Sequence, residues 1–351
     1  MDDLTVLVTG AGAPGIKGTL YSLNENFDNR CIRTIGTDIK QEVVGTYLCD
    51  KFYHISRPSE KDYLDQLLLI CEQEDVDVIL PQNTLELSVL AENKSPFLNI
   101  GTSIAVSDAP AISIANDKYK LMKLAEQIGV PTPKSILVDN FDALIKSASE
   151  LGWPHKPVVV KPPLSNGMRG VRIIDESLDL KKMFYSEKPT SLFVKMNILR
   201  EILGSHFPPL LVMEYLPNAE YTIDVLEAQK YTIIPRKRDL IRSGITFQGT
   251  VECHEELITY AQKLSEATGL NYAFGFQFKM DEQSVPKLLE SNPRVQGTMV
   301  LSTFAGANII YAAVKRALNE DIPDFQVKWG TKILRYWGGM GIQNKNAVAF
   351  L

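Results

Sequence analysis

The chain has 351 residues, 45% of them hydrophobic and 23% charged, with a formal net charge of -5. It is long enough for two or three domains, since a single core rarely grows past roughly 250 to 300 residues. The negative balance gives no general pull toward nucleic acid or anionic lipid, so an anionic ligand has to be held by a few placed cations. The cysteines Cys31, Cys49, Cys71 and Cys253 show no CxxC spacing and the histidines His54, His155, His206 and His254 no HExxH, which sets zinc and disulfide readings aside. The start MDDLTVLVTG lacks the basic opening and cleavage site of a secretory signal, and no apolar run approaches the ~18 residues that span a bilayer. The expectation is a cytoplasmic protein with no membrane and no nucleic-acid partner.

Short apolar runs at 4–9, 32–38, 76–80 and 104–107 alternate with helical patterns, notably at 60–74, and predict a parallel sheet with helices on both faces. VTGAGAPGIKG, residues 8–18, follows the first run and contains Gly10, Gly12 and Gly15 in the spacing of a dinucleotide-binding turn, with Asp38 at the distance of a ribose-binding acid. A nicotinamide-dependent oxidoreductase is one reading of that turn. An amphipathic helix over 117–128, ended by Gly129, Pro131 and Pro133, puts a boundary near 115. Beyond it come strand 135–138, helix 141–151, strand 157–161, a polar glycine loop at 165–170, strand 171–174 and helical stretches to about 204. YTIDVLEA and YTIIPRKR then read as an antiparallel hairpin, followed by helix 254–268, strands 273–280 and 285–292, and helix 306–318. Strands grouped apart from helices argue for α+β architecture here, against α/β in the first part.

FGFQFKMDEQSVPKLLESNPRVQGT, residues 274–298, carries the densest chemistry. Glu290 and Asn292 are two apart and share one face of an extended strand. A loop of four residues, Asp281 to Ser284, would set Gln277 opposite Leu288 and diagonal to Glu290. One carboxylate and two amide oxygens suit Mg²⁺, and Arg294 could meet a phosphate or carboxylate beside it. For any one of these residues, capping or solvating a strand end is the alternative. Upstream, Lys161 ends an apolar strand and is followed by Ser165, Asn166, Gly167, Met168, Arg169 and Gly170, a loop whose glycines let backbone N–H groups approach a phosphate. Lys118 opens the 117–128 helix, where a solvated lysine is the ordinary case. In LLVMEYLPNAEYTIDVL, Met213, Glu214, Tyr215 and Leu216 precede a turn that exposes backbone groups to a purine edge, and Glu220 is placed for ribose hydroxyls; two solvent-facing glutamates are the alternative.

In this order the pieces resemble the ATP-grasp superfamily, and most closely single-copy proteins similar to the ATP-binding half of the carbamoyl phosphate synthetase large subunit. VLVTGAGAPG, DVILPQNTLEL, NDKYKLMKLAEQIGVPTPKS, VVVKPPLSNGMRGVRII, VMEYLPNAEYTIDVL, IPRKRDLIRSGIT and LLESNPRVQGT carry the likeness over nearly the whole chain. It implies an N-terminal Rossmann-like pre-ATP-grasp domain over 1–115, a small lid subdomain over 116–210 and a large subdomain with the metal site over 211–351. It also implies that Lys118, Lys161 and the 165–170 loop (Ser165, Asn166, Gly167, Gly170) hold ATP phosphates, that Met213 to Leu216 line the adenine, and that Glu220 binds ribose. Gln277, Glu290 and Asn292 would bind Mg²⁺, with Mn²⁺ an alternative, and Arg294 would stabilise an acyl phosphate. The basic cluster Arg236, Lys237, Arg238 and Arg242 would lie beside the transferred phosphate, with Arg238 and Arg242 on the carboxylate substrate. The implied reaction joins a small-molecule carboxylate to an amine or other nucleophile and releases ADP and phosphate; a homodimer is compatible with it. The chain departs from the synthetase in having one ATP-binding copy, no recognisable glutaminase portion, and lysines at 118 and 161 where the synthetase has arginines. The oxidoreductase and a non-catalytic nucleotide-binding protein are the competing readings. On the ligase reading the glycine turn backs the substrate cleft and Asp38 is structural.

Overall fold

A computed structural model of the chain describes residues 3–165, 167–189, 191–344 and 346–350. Contacts divide it into two compact units: Met1–Ala115 with Tyr221–Gln277 and Ser291–Leu351, and Asn116–Glu220 with Phe278–Glu290.

The first unit opens with β1 (Leu4–Thr9), β2 (Ile32–Asp38), β3 (Lys51–His54), β4 (Val78–Leu80) and β5 (Ser103–Ile104), in the order β3-β2-β1-β4-β5. Every pairing is parallel. This is the doubly wound sheet that the alternating runs predict, and central β1 is apolar on both faces because helices cover both. Edge strand β3, KFYH, was not expected: it is half-exposed and has no apolar run to announce it. It is tied to the sheet by Glu74, the last residue of helix Tyr63–Glu74, which accepts hydrogen bonds from Arg33, Lys51 and Tyr53. Those donors, Lys51 first, hold the Glu74 carboxyl down to about 2.

The second unit is built on β6 (Ser135–Asn140), β7 (Val158–Lys161), β8 (Arg172–Ile174), β9 (Phe193–Val194) and β10 (His206–Glu214), in the order β6-β10-β7-β8-β9. Its core gathers Val138, Phe141, Leu144, Val158, Val160 and Val212. Helix Lys118–Gln127 starts where Asp117 caps it, the carboxylate accepting from the N–H groups of Tyr119 and Lys120. A cut at 210 falls inside β10 and does not mark a boundary.

Strands β11 (Glu220–Glu227), β12 (Thr232–Arg242), β13 (Ile245–Val251), β14 (Tyr272–Met280), β15 (Pro286–Asn292) and β16 (Lys332–Leu334) form a six-stranded sheet in the order β15-β14-β11-β12-β13-β16. Within the first unit, Leu226, Ile234, Val251 and Ala273 pack in one cluster with Met299, Ile309, Tyr311 and Val314, and with Leu4, Val6 and Val8 of β1. The expected helix 306–318 is present as Ile309–Ala317, and a short helix that was not expected, Val300–Phe304, precedes it and stops before Gly306, whose φ is +90°.

The hairpin loop at 281–285 has five residues where four were expected. The cause is Asp281: its carboxylate accepts from the N–H groups of Gln283 and Val285, both at 2.9 Å, and its own N–H donates to Val285 O at 3.0 Å. Counting from that closing pair places Leu288 opposite Phe278 instead of Gln277. The burial alternation of β15 then slips by one residue at Leu289–Glu290, which leaves Glu290 and Asn292 both on its half-buried side, with Ser291 buried between them. A short hairpin β17 (Met340–Gln343) and β18 (Asn346–Phe350) follows.

Glu74 sets a stability test. Its folded pKa of about 2 lies below the ordinary 4.5, so its contribution is complete above pH 4.5 and is lost as the pH falls through 2. Glu74→Gln is therefore expected to lower Tm at pH 7 by several degrees, and the gap to wild type to close as the pH is taken from about 5 to 2. A gap that is constant with pH would show that the charge is not what ties β3.

Candidate active site

In the second unit, the first turn of helix Lys118–Gln127 and the end of β7 bring two lysines toward Glu290. Lys118, 5% exposed, donates from Nζ to Ser165 O at 2.6 Å and stands 3.4 Å from Glu290 Oε2. Lys161, 7% exposed, donates to Leu289 O at 3.2 Å. Burial pushes the Lys161 ammonium down to about 8; Glu290 and Glu220 oppose that shift, and the Lys118 charge adds to it. The 165–170 loop joins β7 to β8 and carries Gly167, Met168 and Gly170 at φ of +59°, +61° and +76°. A side chain at Gly170 would come within 2.7 Å of Pro162. Asn166 lies outside the described residues. Two buried cations thus lie beside the glycine loop, one 3.4 Å from the Glu290 carboxylate and one bonded to the neighbouring carbonyl of Leu289.

Further along the same unit, Met213 packs with Met122 and Leu211 against Tyr119 and Val159. Glu214, at the end of β10, donates its N–H to Lys134 O at 3.0 Å, while its carboxylate accepts from the Lys287 ammonium, which also lies 3.4 Å from Asp281. Tyr215 sits under the Lys279 ammonium, Leu216 is buried and Glu220 half-buried. Lys287 and Asp281 were not singled out from the sequence, although Lys287 on a strand of alternating burial could have been.

In the first unit Gln277 is half-buried between Phe276 and Phe278. Arg294 donates through Nε to Thr84 Oγ1 at 2.9 Å and through Nη1 to Val295 O at 2.9 Å, and its Nη2 is 3.4 Å from Asn292 Oδ1. Thr84 begins the turn whose Glu86, 3% exposed, accepts from Thr9, from the Asn83 N–H at 2.9 Å and from the Tyr63 hydroxyl at 3.0 Å. Burial raises the Glu86 carboxyl, against the pull of these donors and of Arg294. Among the described residues no group of three or more His, Cys, Asp or Glu is placed to hold a metal. Glu290 and Asn292 keep their hard oxygens on one side of β15, as their spacing requires, whereas the closing pair of the hairpin puts Gln277 opposite Leu289 and not diagonal to Glu290 as expected.

The basic run 236–242 does not present one face. Arg236, 2% exposed, pairs with Asp224 at 2.5 Å, and Asp224 also accepts from Ser302 at 2.7 Å. Lys237 turns to Glu252 at 3.8 Å. Arg238 donates to Thr246 Oγ1 and Gly244 O at 2.9 and 2.6 Å and so ties its own turn, and the Arg242 guanidinium lies 4.9 Å from the centre of the Phe247 ring. Arg236 Nε and Gln296 Nε2 are buried donors with no hydrogen-bond partner among the described residues. The Gln296 amide occupies the space over Gly275, where a Cβ would stand 1.8 Å from Nε2. Gln296 was missed in the sequence, though it follows Arg294 by two residues on an extended segment.

The opening glycines are taken up by the fold. Asp38 accepts from the Gly12 N–H at 2.8 Å and the Lys40 N–H at 3.0 Å, and a Cβ on Gly15 would lie 2.5 Å from Gly297 Cα. At Gly12, where a pyrophosphate would approach, a Cβ would meet Val43 at 2.8 Å and Asp38 at 2.9 Å, and Gly15 serves close packing on Gly297.

Residues 206–335 match the family described as ATP-grasp in the biosynthetic pathway with Ter operon, and residues 6–105 match the PylC-like N-terminal domain. Among curated proteins, the chain is 22% identical over 339 residues to the carbamoyl phosphate synthase large chain of Clostridium acetobutylicum, covering 90% of this chain and 29% of that one. It thus spans about three tenths of the length of that relative. Among solved structures it is similar to N5-carboxyaminoimidazole synthetase from Staphylococcus aureus complexed with ADP, with a TM-score of 0.66, 17% identity and coverage of 93% of this chain and 81% of that one. It is similar also to biotin carboxylase from Campylobacter jejuni, with a TM-score of 0.66, 18% identity and coverage of 91% and 72%. Among the described residues no helix is long and apolar enough to cross a membrane. The chain thus carries a PylC-like N-terminal domain followed by an ATP-grasp domain.

Proposed function

We propose that the protein is an ATP- and Mg²⁺-dependent ligase that activates a small-molecule carboxylate as an acyl phosphate and passes it to an amine or other nucleophile. The observation that carries this is the pair of buried lysines beside the glycine loop, Lys118 bonded to Ser165 O and 3.4 Å from Glu290, and Lys161 donating to Leu289 O. A buried ammonium whose hydrogen bond goes to a carbonyl oxygen, as at Lys161, keeps charge that a polyphosphate can meet. The loop of left-handed residues 167, 168 and 170 offers backbone N–H groups to the same ligand.

Met213 and its apolar neighbours form the surface for the base, the backbone around Glu214 to Leu216 meets the purine edge, and Glu220 takes the ribose. Mg²⁺ held by Glu290, Asn292 and Gln277 would neutralise charge on the transferring phosphoryl group. A carboxylate oxygen of the substrate attacks the γ-phosphorus, the bond to the β-phosphate oxygen breaks and ADP leaves. The nucleophile then attacks the acyl carbon, inorganic phosphate departs and the nucleophile's proton goes to solvent. Arg294, held by Thr84, steadies the acyl phosphate. Arg236 Nε and Gln296 Nε2, both lacking partners, hold the carboxylate. Arg238 and Arg242 flank that position: the first fixes a turn and the second lies on Phe247.

Lys161→Met is expected to weaken ATP binding by at least about 100-fold in isothermal titration while leaving Tm of the nucleotide-free chain within about 3 °C. Unchanged affinity would remove the lysine pair from the phosphate site. Glu290→Ala, or chelation of Mg²⁺ in wild type, should reduce ADP-coupled phosphate release by about 1000-fold; retained turnover would exclude the proposed donor set. For Thr84→Val the expectation is intact ATP binding with kcat lowered about tenfold, because Arg294 loses the acceptor that orients it.

A further inference from the structure

The first unit contains more of a binding site than an acyl group requires. Two buried donors, Arg236 Nε and Gln296 Nε2, lack partners. They belong to one neighbourhood: Asp224 and Arg236 stand two residues from Leu226 and Ile234, and Gly275 two from Ala273, so all three lie on the face that carries those core residues. Gln296 covers Gly275 on that face. A half-buried third cation, Arg335, donates to Gly297 O and reaches Pro14 O at 3.4 Å. Burial, and after it the charge of Arg236, holds the Arg335 guanidinium below its ordinary value.

Arg335 also leads into aromatic residues. Its N–H donates to Phe247 O at 2.8 Å, and the Phe247 ring has Trp337 on it at 5.0 Å and the Arg242 guanidinium at 4.9 Å. Trp337 is 78% exposed despite that contact. It lies in the segment between β16 and β17 that has no regular structure and is followed by Gly338 and Gly339. A tryptophan held at one side by a phenylalanine and open over the rest of its ring, beside an arginine that contacts the backbone next to Gln296, is a stacking surface contiguous with an anion site.

We propose that the carboxylate substrate has a flat, π-bonded body, which stacks on Trp337 beside Phe247 while its carboxylate meets Arg236 and Gln296. This rests on the ligase reading and adds to it the class of acid: aromatic or conjugated acids are preferred over saturated ones of the same size. The residues that choose the acid are Phe247, Trp337 and Arg335, none of which serves the phosphates.

The test uses the whole chain and two probes that share a carboxylate and seven carbons, benzoate with a flat ring and cyclohexanecarboxylate with a puckered one. In isothermal titration, benzoate is expected to bind at least about fivefold more tightly. Trp337→Leu should abolish that preference at unchanged Tm, and Gln296→Leu should weaken both acids alike and leave the preference intact. Equal binding of the two acids, binding of neither, or a preference that survives Trp337→Leu overturns the proposal. A parallel titration with ATP and Mg²⁺ separates the two levels: if ATP binds and the acids are not distinguished, only the aromatic site falls, whereas absence of ATP binding to wild type removes the ligase reading whatever the acids do.

Discussion

The backbone of the opening glycine loop meets the backbone beyond the Asn292 strand at Gly15 and Gly297, and the first unit is organised around that approach. No residue with a Cβ fits at position 15, because Gly297 Cα would be 2.5 Å away. The contact continues along helix Ile16–Asn24: Gly18 lies against Val300, Ser22 is 2.8 Å from the Thr303 hydroxyl, and Asn308 donates to Ser22 O at 2.6 Å. A parallel sheet from the start of the chain and two short helices from near its end therefore share one core. The segment between Asn292 and Thr298, with Arg294 and Gln296, is held from both sides in consequence.

Buried charge then decides what the site can hold. Asp224 and Arg236 are almost completely buried and satisfy one another together with Ser302, but the pair is incomplete, since Arg236 Nε remains without an acceptor. A buried donor left unsatisfied costs about 1 to 3 kcal/mol, and an anionic ligand recovers that cost on binding. In the second unit the buried cations are Lys118, 3.4 Å from Glu290, and Lys161, which donates to Leu289 O.

Much of this was legible in the residues. The five-stranded parallel sheet follows from apolar runs alternating with helical periods, and helix Lys118–Gln127 from its amphipathic pattern and the glycine and prolines behind it. Glu290 and Asn292 share a side of their strand, as their spacing requires. Edge strand β3 was illegible because it has no apolar face, and the hairpin register was misjudged because the Asp281 side chain draws Val285 into the turn. Lys287 and Gln296 escaped notice for a different reason: a single polar residue on a strand says nothing until the group it faces is known. The basic run 236–242 looked like one cluster, yet strand alternation and the turn at Gly244 send its members to four separate environments.

The sequence by itself determined the doubly wound start, the glycines that a tight turn demands, the lysines and carboxylates available for phosphate and metal, and the likeness to ATP-grasp proteins. Those follow from local periodicity, backbone sterics and side-chain chemistry, which act over a few neighbouring residues. Tertiary structure alone decided that the glycine loop packs on Gly297, that Lys161 is buried and its ammonium weakened to about 8, and that Arg236 and Gln296 keep donors without partners among the described residues. Each of these depends on removal from water beside residues distant in the chain, a condition that local periodicity does not encode.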